Sequence, residues 1–287
     1  MSFLKRDRDN FDPALRQAFK HNLMSHPLLQ FDELKKLALR HPTVRFHSAN
    51  LPRTQSLDTV VHERPTGFSL EDSLENISTS GSFVFIMDVQ KDPIYAPFVN
   101  ALLDEIEGDV NKKQSNLRNR QAWVFITSPG GVTPYHRDQE AATYFHIKGK
   151  KTFWLWDALD RDIVSQEENE YFHGVHGLKK TLYSESKMDK AEKFEINPGD
   201  GIYFPYTAPH MVENGADEFS ISFSVTHMTD EDFNARRIYK INQILRKLGF
   251  SPSDMNHSKV IDSLKLSLHF FLRYSLFPFN LGWNRNE

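Results

Sequence analysis

A chain of 287 residues with 39% hydrophobic and 25% charged residues has the balance of a folded globular protein, long enough to bury a sizeable core as one large domain or two small ones. Its net charge of −3 and pI near 6.5 give no basic surface for non-specific nucleic-acid or membrane binding. The absence of cysteine excludes disulfides, thiolate catalysis and Cys-ligated zinc or iron–sulfur centres, while 23 phenylalanines supply rings for a β-rich core or a lined pocket.

The opening MSFLKRDRDN lacks the apolar core of a signal peptide. The most apolar late stretch, VIDSLKLSLHFFLRYSLF, is interrupted by Asp262, Lys265, His269 and Arg273 and makes a poor membrane span. A cytoplasmic location is the expectation. Asp12-Pro13 pairs an N-cap with proline at the first helical position, which predicts a helix carrying Leu15, Phe19 and Leu23 and stopped at His26-Pro27. Asp32 starts a second helix through Leu34, Leu37 and Ala38 that ends before Pro42, and residues 43–68 read as irregular. SFVFIMDV (82–89) is a short apolar run rich in β formers, hence a buried strand. Asp92-Pro93 opens a helix through Leu102, Leu103 and Ile106 that Gly108 is placed to close. The polar run GDVNKKQSNLRNRQ then reads as a surface loop.

From residue 121 the pattern becomes one of strands: AWVFITS, AATYFHI, KTFWLW, KFEI, GIYFP and FSISFSV, separated by Gly, Pro or charged segments, as in a sandwich or barrel. A long charged insert separates Trp156 from Phe194, and such a loop in a compact domain is functional or disordered. After residue 230 the helical period returns through EDFNARRIYKINQILRKLGF and the amphipathic 258–276 stretch. The expected organisation is mainly β with flanking helices: N-terminal helices and a first core strand over 1–110, a β-rich core over 111–230 and a helical segment over 231–287.

The core contains GGVTPYHRDQEAATYFHIKGKK (130–151), in which His136 and Asp138 form a His-x-Asp pair. On a strand, residues two apart share a face, so both can reach one ion; an imidazole and a carboxylate suit a borderline divalent metal such as Fe(II). A third ligand has to come from elsewhere. The best candidate is His210, which follows the Pro198-Gly199-Asp200 turn and the GIYFP strand. Two His and one carboxylate on one face leave coordination positions open for a cosubstrate and O2. Among 13 histidines, His146, His173, His176 and His227 are the rivals, and surface His and Asp are common enough that order and geometry count for more than number.

The ordered set Gly131-Val132-Thr133-Pro134-Tyr135-His136-x-Asp138, Tyr144, Ile147-Lys148-Gly149-x-Lys151, Pro198-Gly199-Asp200 and Pro205 leading to His210 resembles the JmjC and cupin-like Fe(II)/2-oxoglutarate oxygenases over about residues 121–227. Within that family the likeness in motif is greatest to the asparaginyl hydroxylase acting on hypoxia-inducible factor. The resemblance implies a double-stranded β-helix, or jelly-roll, core with the metal at its open mouth, and His136, Asp138 and His210 as ligands. It also implies Lys151 as the cation for the far carboxylate of 2-oxoglutarate, assisted by Thr133 and Tyr144; the bland alternative for KGKK is a solvated hairpin turn. Ala142 departs from the pattern, standing where the asparaginyl hydroxylase has asparagine; Ser222 or Ser224 is the replacement hydroxyl, or else both merely alternate along a half-exposed strand. Retention of Asp138 favours hydroxylation over halogenation, because halogenating relatives lose that carboxylate.

The implied activity is oxidative decarboxylation of 2-oxoglutarate coupled to oxidation of a protein side chain or a small molecule such as an amino acid. The competing reading is a cupin-like metal- or ligand-binding protein without turnover, since barrels of this kind host both. The insert reads as a lid over the mouth, with Glu167-Glu168-Asn169-Glu170 either drawing a cationic substrate or forming a solvated face. Arg137 is expected to point away from the metal, and Trp123, Trp154 and Trp156 to be core. Leu264, Leu268, Phe271 and Leu272 serve either a homodimer or packing on the barrel.

Overall fold

The computed structural model describes residues 2–5, 10–55, 57, 67–175 and 177–276. In chain order the strands are β1 (Leu4–Lys5), β2 (Gln17–His21), β3 (Val44–Ser48), β4 (Ser82–Ile86), β5 (Arg118–Thr127), β6 (Val132–His136), β7 (Ala141–Lys148), β8 (Lys151–Leu155), β9 (Glu192–Ile196), β10 (Asp200–Phe204), β11 (His210–Asn214) and β12 (Ser220–Met228). The helices are α1 (Phe31–Arg40), α2 (Leu70–Glu75), α3 (Ala96–Val110), α4 (Gln166–Val175), α5 (Asp230–Lys247) and α6 (Lys259–Leu276).

An eight-stranded antiparallel sheet, in the order β1-β2-β10-β7-β12-β5-β4-β3, faces a four-stranded one, β6-β11-β8-β9. This is the jelly-roll core with flanking helices that the resemblance implies, and it falls within the sandwich or barrel that the strand spacing predicts. Side chains of the two sheets meet between them: Tyr144 and Ile202 from the large sheet, Phe153 and Val212 from the small one. The other face of the large sheet buries Val84, Ile86, Val124, Ile126 and Phe223 against Leu34 and Leu37 of α1 and Leu102, Leu103 and Ile106 of α3. α5 is opened by a capping box in which Thr229 and Asp232 satisfy one another's backbone N–H groups.

Several expectations are corrected. Residues 12–23 do not form a helix: Asp12 turns the chain by accepting from the Ala14 N–H, and β2 then pairs with β10, Ala18 opposite Ile202. Leu15, Phe19 and Leu23 are four apart, a spacing that fits the helical period and the strand period of two equally, and the buried positions Phe19 and His21 follow the strand. The supposedly irregular stretch from 43 contains β3, which extends the large sheet beyond β4. α3 runs through Gly108 to Val110, and the polar loop after it ends where β5 begins at Arg118.

The insert is partly helical. α4 packs on α5, where Arg246 forms ion pairs with Glu167 and Glu170. Most of the acidic run is therefore packed rather than solvated: Glu168, Asn169 and Glu170 are buried, and Glu167 alone is exposed. α6 packs on α5, leaving Leu264, Leu268 and Phe271 exposed. Among the described residues no helix is long and apolar enough to cross a membrane.

Candidate metal centre and adjoining cavity

β6 and β11 are antiparallel neighbours, and their register sets His136 directly opposite His210. The two rings lie 4.0 Å apart, centre to centre. β6 ends at His136, so Asp138 sits just past the strand rather than on it, yet its carboxylate still turns to the same side. It lies 3.9 Å from His136 Nε2 and 3.5 Å from His210 Nε2. One ligand atom from each of the three residues falls within 4.8 Å of the others.

Both imidazoles are oriented alike. His136 Nδ1 lies 2.7 Å from the Pro134 carbonyl, and His210 Nδ1 lies 3.0 Å from the Ala208 carbonyl. A carbonyl only accepts, so each Nδ1 carries the proton and each Nε2 presents a lone pair toward Asp138. Burial, then the neighbouring His136, hold the His210 imidazole down at about 4, so it is neutral near pH 7.

Arg137 points the opposite way, as strand alternation predicts, and is wholly buried. Its Nε donates to the Thr207 carbonyl at 3.1 Å, its guanidinium bonds the Asn169 side chain and lies over the Phe172 ring, and Glu168 is 3.7 Å away. The residue between two candidate ligands thus fastens their loop to α4.

A cavity of about 590 Å³ opens beside the triad and reaches between the sheets. Thr133, Tyr144, Lys151 and Ser224 line it together with His136, Asp138 and His210. Lys151 starts β8 after a hairpin whose Gly149 adopts φ +83°, a conformation glycine reaches without strain. Only 4% of Lys151 is exposed, and burial alone pushes its ammonium down to about 7. The Tyr144 ring, 5.9 Å away, is its nearest aromatic face. KGKK is therefore a hairpin whose last lysine turns inward.

Ser222 does not line the cavity. It is buried behind Tyr144, hydrogen-bonded to that phenol, and donates to His146 Nδ1 at 3.1 Å, while His146 Nε2 donates to the Gly149 carbonyl at 2.8 Å. Ser224 faces the cavity, with its hydroxyl 3.5 Å from the Thr143 carbonyl. The solvent-exposed alternative for these serines fails, since every residue of β12 is buried.

The rival histidines are elsewhere: His146 is buried between Ser222 and the Gly149 carbonyl, His173 stacks between Tyr206 and Tyr239, and His227 stacks on Tyr203. His176 lies outside the described residues. Of the insert's described residues only Leu178 lines the cavity, so the lid expectation reduces to one side chain at its edge. Trp154 and Trp156 are buried as expected, whereas Trp123 faces the cavity. Phe83, Phe85, Met87 and Thr226 were likewise not foreseen as lining; being apolar or small on buried strands, they carry no sequence signal that separates a cavity wall from a core. Glu140 also lines it, and burial, then the charge of Asp138, raise its carboxyl to about 7.

Neither a family model nor a curated protein matches this sequence. Among solved structures, the X-ray structure of Escherichia coli ycfD is 16% identical, with a TM-score of 0.51 over 97% of this chain and 69% of that one. The likeness is one of fold. Two further structures of YcfD are similar at TM-scores of 0.47 and 0.44, at 16% and 15% identity, each over 93% of this chain and 64% of the other. The first is described as a ribosomal oxygenase, and the second is a complex with cobalt and 2-oxoglutarate.

Proposed function

We propose that this protein is an Fe(II)- and 2-oxoglutarate-dependent oxygenase of the hydroxylating kind, using O2 to oxidise a protein side chain or a small molecule. The observation that carries the reading is the joint placement, in one cavity, of a His-Asp-His triad with both Nε2 lone pairs converging and a buried lysine that forms no ion pair among the described residues. Two imidazoles and one carboxylate fit a divalent ion with open positions. A buried ammonium fits an anion, because only an anion restores the charge balance that burial removes.

In this reading His136, Asp138 and His210 hold the metal. Lys151 binds the far carboxylate of 2-oxoglutarate, with Thr133 and Ser224 as further polar lining. Ser222 serves indirectly, fixing the Tyr144 phenol through the chain Tyr144–Ser222–His146. The bound metal supplies oxidative decarboxylation of the cosubstrate and activation of O2. The chain's own part is to orient both ligands, exclude water with the apolar wall around Lys151, and present the substrate. Asp138 turns its carboxylate toward both imidazoles, which supports hydroxylation rather than halogenation. The finer likeness to the asparaginyl hydroxylase rests on motif alone, and Ala142 stands against a matching cosubstrate contact.

Anaerobic addition of Fe(II) and 2-oxoglutarate should produce a weak visible charge-transfer band, abolished in His136→Ala and weakened in Lys151→Ala. A folded protein that binds metal but gives no band would refute the proposal in favour of a metal-binding protein without turnover. The exposed apolar residues of α6 support a homodimer as the working form; a monomer mass by light scattering at micromolar protein would refute that part.

A further inference from the structure

β4 and β5 are apolar on both faces, one turned to the helices and the other to the cavity. Val84 and Ile86 of β4, with Ala122, Val124 and Ile126 of β5, are fully buried in the core shared with α1 and α3. Their alternates Phe83, Phe85, Trp123 and Phe125 point the other way and line the cavity. The rings form a continuous wall: Phe83 to Phe85 at 5.7 Å, Phe83 to Phe125 at 6.1 Å, Trp123 stacked on Phe125 at 6.3 Å, and Phe125 stacked on Tyr144 at 6.1 Å. A concave aromatic wall with few polar groups is what a ligand site presents, whereas a solvated sheet face alternates to polar residues.

Two polar groups on this wall lack partners. Trp123 Nε1 and Thr226 Oγ1 are both buried, both line the cavity, and neither has a hydrogen-bond partner among the described residues. A buried donor left unmade is costly, so an acceptor arriving there recovers that cost. At the rim stands Arg45, which register pairs with Phe85 and so places on the same face. It is exposed, lines the cavity, and donates to the Val44 carbonyl at 2.8 Å; among the described residues no carboxylate pairs with it.

The cavity thus has a cation at each end with rings between. Four strand steps, β7 to β12 to β5 to β4 to β3, separate Tyr144, beside Lys151, from Arg45, or about 19 Å at the usual interstrand spacing. One small dicarboxylate cannot reach both, so the two cations serve two anions.

We propose that the wall and Arg45 form the substrate subsite, and that the substrate is a free aromatic carboxylate. Its ring lies against Phe85, Phe125 and Trp123 with an acceptor toward the indole N–H, and its carboxylate meets Arg45. The word substrate rests on the oxygenase reading above; the binding site does not.

The test measures affinities of the full chain by calorimetry and saturation-transfer NMR for four probes: 3-phenylpropanoate, 3-phenylpropanamide, hexanoate and N-acetylphenylalanine methylamide. 3-Phenylpropanoate should bind about fivefold or more tightly than any of the others. Arg45→Gln should erase its advantage over the amide while leaving amide binding in place, a loss of about fivefold for a partly solvated ion pair. Trp123→Leu removes one ring from the wall and should weaken both phenyl probes about threefold to tenfold. Equal binding of hexanoate would overturn the ring wall, and indifference to Arg45→Gln would overturn the carboxylate contact. Tighter binding of the peptide mimic would overturn a free acid as substrate. Displacement by 2-oxoglutarate would put the probe on Lys151 and overturn the assignment. Release of CO2 from 2-oxoglutarate, assayed in parallel, separates the two claims. Arg45-dependent probe binding without any CO2 release sinks the oxygenase reading and upholds the aromatic-acid site, and CO2 release without probe selectivity does the reverse.

Discussion

Replacing Lys151 by methionine should make the protein more stable and remove its affinity for 2-oxoglutarate. The ammonium is 4% exposed and held at about 7, against an ordinary lysine value of 10.5, by burial alone. Linkage converts that difference into a burial penalty on the order of 5 kcal/mol for the charged form. Relaxation and water entry reduce what is recovered, so Lys151→Met, which keeps the length and packing of the stem, should gain about 2 kcal/mol or more near pH 6. Against a total stability of about 5–15 kcal/mol that is readily measured.

The pH dependence is the sharper part. The folded-state value lies below the unfolded one, so between about 7 and 10.5 the unfolded chain binds more protons and wild-type stability rises with pH through this group. The penalty is fully present below pH 7 and has vanished by about 10.5. The methionine variant should therefore lead wild type in urea denaturation at pH 6 and draw level by about pH 10. A variant less stable than wild type at pH 6, or one with an equal gain at both pH values, would refute an uncompensated buried lysine. Since an anion favours the charged form, 2-oxoglutarate should bind wild type more weakly as pH rises above about 7, and should not protect the variant at all.

His210→Ala removes one of three donors from a preformed site and should weaken Mn(II) or Zn(II) binding, read by calorimetry, by about 100-fold or more, with little change in the far-ultraviolet circular dichroism. Arg137→Met leaves Glu168 buried without its cation and frees the loop between the candidate ligands; urea denaturation should show a loss of about 3–5 kcal/mol, part of which returns in the double variant with Glu168→Gln. Thr229→Ala breaks the capping box that opens α5 and should cost about 1–2 kcal/mol by the same assay, with metal affinity unchanged.

The grouping of His136, Asp138 and His210 and the inward turn of Lys151 were legible through the resemblance, whose motifs are local: a His-x-Asp pair, a Pro-Gly-Asp turn before a strand ending near His210, and a Lys-Gly hairpin that by itself read equally as solvated. What pairs with what was not. The helix predicted over 12–23 failed because a spacing of four serves a strand as well as a helix, and only pairing with β10 decides between them. The acidic run at 167–170 looked solvated because its partner Arg246 is 76 residues from Glu170, and its burial depends on the packing of α4 against α5. The aromatic wall was invisible for a further reason. Phe83, Phe85, Trp123 and Phe125 read as core in any strand buried on both faces, and nothing in a run of apolar residues says whether helix or cavity covers each face.

That last ambiguity has a structural origin in how the large sheet is used. Its central strands β10, β7 and β12 lie over the small sheet and enclose Lys151 and Tyr144, whereas β5, β4 and β3 extend the same surface beyond it. The extension carries the identical alternation, with one set of residues in the core beside α1 and α3 and the alternates Phe83, Phe85, Trp123 and Phe125 on the cavity side. One continuous sheet surface thus carries both the buried surroundings of Lys151 and the aromatic wall. The triad, on the rim strands β6 and β11, stands beside the cavity that joins them. Under the proposed function, a small anion beside Lys151 and a larger molecule on the aromatic wall would occupy different stretches of that one surface, a division set by strand order.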